Sequence, residues 1–500
     1  MNLFKKILKS IDFSGPHRKY PFIFINGALI LFQVLYIWLR YKYINTTIPF
    51  WYVLPWGDFQ LASKDAIYLL PLTSAGILAA GLIISLLVNR FYIRYSSEIV
   101  GIFTTFSVFA LTYSLVRIIL ISSVPFDPII NPTLLSLSVP FMIAFATAYF
   151  LIPLFIEYAK DKGLVTNPNL HMHPAMVLIK PSVRGAGFVY AIIFLALTLI
   201  FVGYSKNTAG IYLSVLMLGI LGIVDDYQNT HQKSMFRILE NPLLRLFLLF
   251  CGVSAVVLSG IQIEFVSNPF AKGTFDLLTF TIEIGGSAIP VLADIVTMLW
   301  IVWLLNLLSW SNGIDGQYSG IIGISSIFLC LLALRFVPLE PIHLQVATMA
   351  AISAGIALGF TKKTWYPSSV MWGFGAMSAG LVVAVLSILI NTKVVTTVLF
   401  LLIPFLDGAV TIIRRIIQKK NPLSGDRGHL HHLLLDRGWS VPKIAMFYWL
   451  STALFGIIGL ISSDKYIIQV VLILGGVVAS LIVLLNLRSI KKQKQIQESV

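Results

Sequence analysis

Apolar runs long enough to cross a bilayer recur along almost the whole of this 500-residue chain, and they dictate what it can fold into. A helix needs roughly 17–25 apolar residues to span the hydrocarbon core, and there its backbone N–H and C=O groups must be satisfied within the segment. Such runs fall near 21–41, 66–89, 99–122, 134–157, 186–204, 208–224, 243–260, 289–308, 317–335, 345–361, 370–390, 394–412, 443–462 and 466–487. The fold class they imply is all-α, a polytopic integral membrane protein of about 14 transmembrane helices. With 57% apolar residues, 11% charged residues and a mean hydropathy of +0.88, the composition excludes a soluble globular chain. The first run follows Asp12 and Pro16 and closes on Trp38 and Arg40 without a small-residue cleavage motif, so it reads as an uncleaved span.

Lysine and arginine give the orientation, because cationic loops are retained in the cytoplasm. If the N-terminus (Lys5, Lys6, Lys9, Arg18, Lys19) is cytoplasmic, strict alternation puts Arg90 and Arg94, the loop 160–184, Lys233 and Arg237, Lys362 and Lys363, the loop 413–442 and Lys491–Lys494 on the same side. The opposite loops hold few cations. The expected location is the plasma (inner) membrane, with the N-terminus and the polar loops inside. Topology and anionic membrane lipid account for the net charge of +15, so no nucleic acid partner is implied. Cys251 and Cys330 both lie in apolar runs, which argues against a disulfide or a metal thiolate site.

Four stretches at the cytoplasmic ends of the runs carry polar residues that insertion does not need. Asp225 and Asp226, followed by Lys233, end one apolar run. Adjacent carboxylates repel and call for a cation, and hard oxygen ligands suit magnesium with phosphate completing its shell; the plain alternative is a solvated helix end. In the second stretch Asn306, Ser309 and Asn312 recur along one side of a helix end, before glycines that bracket Asp315. That pattern fits close approach of a ligand or an ordinary Asn-Gly turn. The third, 167–187, holds His171, His173, Lys180 and Arg184, and is either a phosphate site or a cationic connector. The fourth runs from Asp407 through Arg414, Arg415, Asp426, Arg427, His429, His431 and His432 to Gly438. Its arginines repel a cation and no cysteine is near, so anion binding by the histidines is favoured over zinc.

In order and spacing these stretches resemble the polyprenyl-phosphate N-acetylhexosamine-1-phosphate transferases, the glycosyltransferase family 4 membrane enzymes, over roughly residues 134–487. The most specific part is the Arg-Arg pair and Asp-Arg-x-His-Leu-His-His run, similar to the nucleotide-sugar loop of the branch that uses UDP-N-acetylglucosamine. Asp225, Asp226 and Lys233 resemble the Asp-Asp motif, residues 300–320 the Asn/Asp-rich motif, and the loop around His173, Arg184 and Gly187 the first cytoplasmic motif. The resemblance implies transfer of an N-acetylhexosamine-1-phosphate from a UDP-sugar to polyprenyl phosphate with release of UMP, starting lipid-linked cell-envelope glycan synthesis. It implies magnesium, with manganese as the alternative, as cofactor. UDP-N-acetylhexosamine, polyprenyl phosphate and membrane lipid are the partners, and a homodimer is compatible. Asp225, Asp226 and Asp315 would be catalytic, and Asp226 and Asp315 would hold the metal. Lys233, Asn306, Asn312, Arg427, His429, His431, His432, His173 and Arg184 would bind substrate. It also divides the chain into a three-helix extension (1–130), a core of about eleven helices (131–490) and a basic tail (491–500).

Three departures stand out. Ser309 and Asn312 replace the family's asparagine and aspartate. In the stretch 359–380, Thr364 replaces an asparagine, Phe374 the metal-binding aspartate and Met377 a serine. No Asp or Glu lies between Glu340 and Asp407 to compensate. Loss of a carboxylate keeps a second reading open, a catalytically impaired paralogue that binds polyprenyl phosphate or a partner enzyme. A secondary transporter is disfavoured, since ionisable residues at the membrane midplane are scarce and the polar motifs sit at run ends.

Overall fold

The computed structural model describes residues 22–51, 60–90, 96–124, 131–167, 178–231, 239–267, 273–284, 287–390, 394–419, 421, 427–463 and 465–498. All fourteen apolar runs fold as helix. They are α1 (Phe22–Arg40), α2 (Leu69–Arg90), α3 (Ser96–Ser122), α4 (Pro132–Asp161), α5 (Ala186–Phe201), α6 (Lys206–Thr230), α7 (Pro242–Leu258), α8 (Val291–Trp310), α9 (Gln317–Ala333), α10 (Pro341–Thr364), α11 (Ala376–Leu389), the pair α12 (Val394–Phe400) and α13 (Leu402–Ile417), and, beyond the short α14 (Leu430–Leu435), α15 (Val441–Ile461) and α16 (Ile467–Glu498).

Among the described residues nine of these helices are long and apolar enough to cross a membrane unaided. Four others are shorter, and α12 and α13 meet at an 88° bend where one straight span is expected. The count of fourteen crossings is therefore not established, although a helix stands at every expected place. The short helices have a physical reason. At 14 residues α11 is only about 21 Å long. Nearly every one of its side chains from Ala376 to Ile388 is buried, so it is enclosed by other helices and need not match the bilayer by itself.

The chain forms two compact units that divide at Val139/Pro140, inside α4 rather than at the expected 130/131 boundary. The first holds α1, α2 and α3, packed around Tyr36, Ile37, Ile67, Leu115 and Ile119. Two buried amides tie its helices. Gln33 Nε2 donates to Ser74 Oγ (3.0 Å) and Thr112 Oγ1 (2.7 Å), and Asn26 Nδ2 donates to Thr105 Oγ1 (3.1 Å). Interhelical hydrogen bonds of this kind hold helices together where lipid supplies no hydrophobic drive. The expected tail is no separate segment, because α16 runs on through it to Glu498.

In the second unit, small residues set the spacing. Gly355 and Gly359 of α10 lie against Ala144 and Ala148 of α4, so a methyl at either glycine would meet the α4 backbone. This is the small-xxx-small contact of membrane helices. A second meeting of glycines positions the polar end of the unit. Gly187 at the start of α5 and Gly222 near the end of α6 both press on the backbone of Gly375, just before α11. Any side chain there would push the three elements apart.

Candidate functional site

The contact at Gly375 brings one turn, Trp372-Gly373-Phe374-Gly375, onto the acid pair of α6. Its position is over-determined. Backbone N–H groups of Ala186 and Gly187 donate to the carbonyls of Met371 and Trp372, and Met371 N–H donates to Val183 O (2.7 Å). Buried Trp372 donates from Nε1 to Ser319 Oγ (2.9 Å) and is ringed by Tyr190, Tyr318 and Phe360 at centroid distances of 5.7, 4.9 and 5.4 Å. Gly373 has φ +64°, and a Cβ there would collide with the Asp226 carboxylate. The turn can thus lie on the acid only because residue 373 is glycine.

Asp225 and Asp226 are 3% and 0% exposed, and the protein itself answers their charge. Arg184 Nη1 stands 3.5 Å from Asp226 Oδ1, and Arg245 Nη2 stands 3.3 Å from Asp225 Oδ1. Asn229 Nδ2 donates to Asp225 Oδ2 (2.7 Å), and the Phe374 N–H donates to Asp226 Oδ1 (3.2 Å). Arg184 is held in turn by Thr166 Oγ1, which accepts from its Nε at 2.6 Å across the short strand pair Val165–Thr166 and Ser182–Val183. Attraction between unit charges 4 Å apart is about 4 kcal/mol at an effective dielectric of 20. Desolvation costs several kcal/mol per ion, so the main service of the arginines is to avoid an unpaired buried carboxylate. Asp226 Oδ2 is buried and has no hydrogen-bond partner among the described residues.

The Asn/Asp-rich stretch joins the same turn. Asn312 Nδ2 donates to Gly373 O (3.3 Å), and Asp315 Oδ2 accepts from the Ser368 N–H (2.9 Å). Burial raises the Asp315 pKa above the usual carboxylate value, against the opposing pull of the Ser368 hydrogen bonds and of Lys180. Asn306 stays apart, its amide donating to Val302 O of its own helix (2.8 Å).

The histidine segment reaches this end from α14. Asp407 of α13 organises it, with Oδ2 on His429 Nδ1 (3.1 Å) and Oδ1 accepting from the Leu430 N–H (2.7 Å). His429 and His431 are stacked at 5.7 Å, and His431 and His432 lie 4.2 Å apart. His431 presses on Gly313, where a side chain would displace it, so the histidines pack directly on the Asn312–Asp315 turn. Both ring nitrogens of His431 and Nδ1 of His432 are buried without partners among the described residues. Burial pushes the His431 pKa well below the ordinary histidine value and that of His432 down to about 4, with the neighbouring histidines and Arg427 acting in the same sense. Both rings are neutral at pH 7. Neutral rings offer hydrogen bonds and no charge, which narrows the expectation of an anion site. Arg427, at the rim, pairs with Asp436 at 3.0 Å.

Of the expected site residues, Asp225, Asp226 and Arg184 meet directly. Asn312 and Asp315 join them through the 368–374 stretch, and His431 through Gly313. His173 and Lys233 lie outside the described residues. Sequence reasoning missed Arg245, Thr166, Gly373 and the role of Asp407. Arg245 carried a signal, being a lone cation in the first turn of an apolar helix, where the helix dipole disfavours it unless an acid is near. Asp407, a carboxylate inside an apolar run, carried another.

The residues present do not fit a resident magnesium ion. Magnesium asks for a near-octahedral oxygen shell in which carboxylates supply negative charge. Here two acids already carry guanidinium partners, Asp315 is turned onto a backbone amide, and the Phe374 ring lies 5.4 Å from the Arg245 guanidinium where the family's carboxylate is expected. No three His, Cys, Asp or Glu side chains come together as a ligand group among the described residues.

Residues 208–391 match the sequence model of glycosyl transferase family 4, a span that contains the acid pair, the Asn/Asp turn and Phe374. A probable undecaprenyl-phosphate N-acetylglucosaminyl 1-phosphate transferase of Bacillus subtilis is 25% identical over 374 residues, covering 71% of this chain and 95% of the relative. A phospho-N-acetylmuramoyl-pentapeptide-transferase of Caldanaerobacter subterraneus is 27% identical over 335 residues, 65% of this chain and 95% of the relative. A decaprenyl-phosphate N-acetylglucosaminephosphotransferase of Mycolicibacterium smegmatis is 26% identical over 233 residues, 41% of this chain and 57% of the relative. With its helical membrane architecture and its polar motifs gathered at one end of the second unit, the chain is similar to glycosyl transferase family 4 over residues 208–391 and to these sugar-phosphate transferases over up to 71% of its length.

Proposed function

We propose that the chain transfers an N-acetylhexosamine-1-phosphate, with GlcNAc-1-phosphate the favoured group, from a UDP-sugar to polyprenyl phosphate at the cytoplasmic face of the plasma membrane. The observation that carries this reading is the histidine segment: buried ring nitrogens without partners, packed on the Asn312–Asp315 turn. Buried polar atoms are normally satisfied, and a diphosphate would supply acceptors for neutral imidazole N–H groups. A phosphate oxygen of the lipid would attack the β-phosphorus of the donor, the bridging P–O bond would break, and UMP would leave with the electron pair. Arg427 and the histidines hold the diphosphate, while Asp225, Asp226 and Asp315 position the lipid phosphate and Arg184 offsets the developing charge.

One observation favours a second reading. Phe374 stands against the acid pair, with its N–H on Asp226 and its ring by Arg245, and adds no carboxylate. A paralogue that binds polyprenyl phosphate without turnover fits that change. The assay that separates the two gives purified chain UDP-sugars and polyprenyl phosphate, with and without magnesium, and measures UMP. Release of UMP matched by lipid-linked sugar supports transfer. Lipid binding without UMP supports the second reading. The orientation is tested by labelling single cysteines at position 430 in intact cells, where protection is expected; labelling from outside would reverse the topology.

A further inference from the structure

The acid pair matches the motif that the resemblance implies, but Phe374, which stands against it, does not. Two adjacent carboxylates bring two negative charges to the buried end of α6. Arg184 and Arg245 bring two positive charges at 3.5 and 3.3 Å, so the four groups are neutral together. Each arginine comes from a different element, Arg184 from the strand pair before α5 and Arg245 from the first turn of α7. Two separate segments thus bring a cation to the same pair.

Phe374 completes the arrangement. Its ring faces the Arg245 guanidinium at 5.4 Å, a geometry in which an aromatic face favours a cation. An aspartate at 374 would add a third negative charge and draw Arg245 away from Asp225. The backbone N–H of Phe374 and the close seat of Gly373 leave the Asp226 carboxylate facing protein on one edge. A divalent ion at Asp226 Oδ2 would enter a neutral cluster beside two fixed guanidinium groups. Its attraction to the acids would be offset by repulsion from the arginines.

We infer that Arg184 and Arg245 have taken the place of a divalent cation at the Asp225–Asp226 pair, so that a phosphate-bearing ligand there meets fixed guanidinium groups and needs no magnesium. The side chains of Arg184 and Arg245 remain 22% and 32% exposed, which leaves N–H groups of both for a phosphate oxygen. This rests on the reading of the site as one that takes phosphate ligands.

The test uses Mn2+ as a paramagnetic probe, titrated into the purified full-length chain with the free-ion EPR signal as readout. The wild-type chain should show no saturable uptake. The variant carrying both Phe374→Asp and Arg245→Gln, which restores a carboxylate and removes the competing cation, should bind one Mn2+ at least about ten-fold more tightly. Saturable one-site uptake by the wild type that Asp226→Asn abolishes would overturn the inference. A second measurement does not depend on the variant folding: the affinity of wild-type chain for undecaprenyl phosphate in EDTA and in magnesium. Equal affinities are expected, and a ten-fold loss in EDTA overturns the inference. If undecaprenyl phosphate fails to bind under either condition, the functional reading fails, while the Mn2+ titration still decides the metal question.

Discussion

The acid pair and the histidine segment sit in the same unit and converge on the same turns, and both keep buried polar atoms without a hydrogen-bond partner among the described residues, but only the acids have charged partners supplied by the fold. Asp225 and Asp226 have guanidinium, amide and backbone partners supplied by the fold. His431 and His432 keep ring nitrogens unmatched although they are equally buried. A buried charge without a partner costs far more than a buried neutral imidazole, so the fold brings cations to the acids and none to the histidines. The lesson is that the acid pair here is a structural joint as much as a chemical group, whereas the histidine segment is the place where the proposed function puts the ligand.

That contrast can be broken most sharply at Arg184. Replacing Arg184 by Ala strips the fully buried Asp226 of its cation and should destabilise the chain by about 3–5 kcal/mol, read as a lowered unfolding transition in detergent. Adding Asp226→Asn to the same chain should recover much of the loss; an additive double mutant would mean the two residues are not coupled. Next in size is Gly222→Ala, which drives a methyl into the Gly375 backbone and should cost about 1–3 kcal/mol by overpacking. An unchanged transition would show that the three-glycine contact is looser than described. On the histidine side, Arg427→Ala should weaken UDP-sugar binding roughly ten-fold, about 1.4 kcal/mol, with little change in stability because its partner Asp436 is exposed. Equal affinity would remove the rim arginine from the site.

The smallest effect is one of pH. His432 is held near 4 in the folded chain against about 6.5 when unfolded, so between these values the unfolded state binds more protons. Its contribution to stability is complete above pH 6.5 and declines as pH falls through that window. His431 acts in the same direction. The thermal transition of wild type should therefore fall relative to that of His432→Ala as the pH is lowered from 7 to 4.5; curves that stay parallel would show that His432 is not held neutral.

Much of this was legible in the sequence. Helix positions followed from run length, because the bilayer imposes one length scale on every span. Short, enclosed α11 and the bend between α12 and α13 were not legible, since burial inside the bundle relaxes that scale. Asp225, Asp226, Arg184, Asp315 and the histidines were singled out because polar groups at the ends of apolar runs need a reason, and the fold brings them to one end of the second unit. Arg245 was missed because its partner lies on another helix, and Gly373 because its role depends on a carboxylate far away in the chain. Phe374 stood out in the sequence against the resemblance; that its ring faces an arginine could be seen only with the turn in place.

The most direct measurement is calorimetric titration of UDP-N-acetylglucosamine into the purified chain in EDTA, comparing wild type with the variant in which His431 and His432 are both replaced by Ala. Binding by the wild type without metal, weakened ten-fold or more in the variant while its thermal transition is held or raised, is the expected result. Equal affinity in the two chains, or wild-type binding that appears only when magnesium is added, would contradict it.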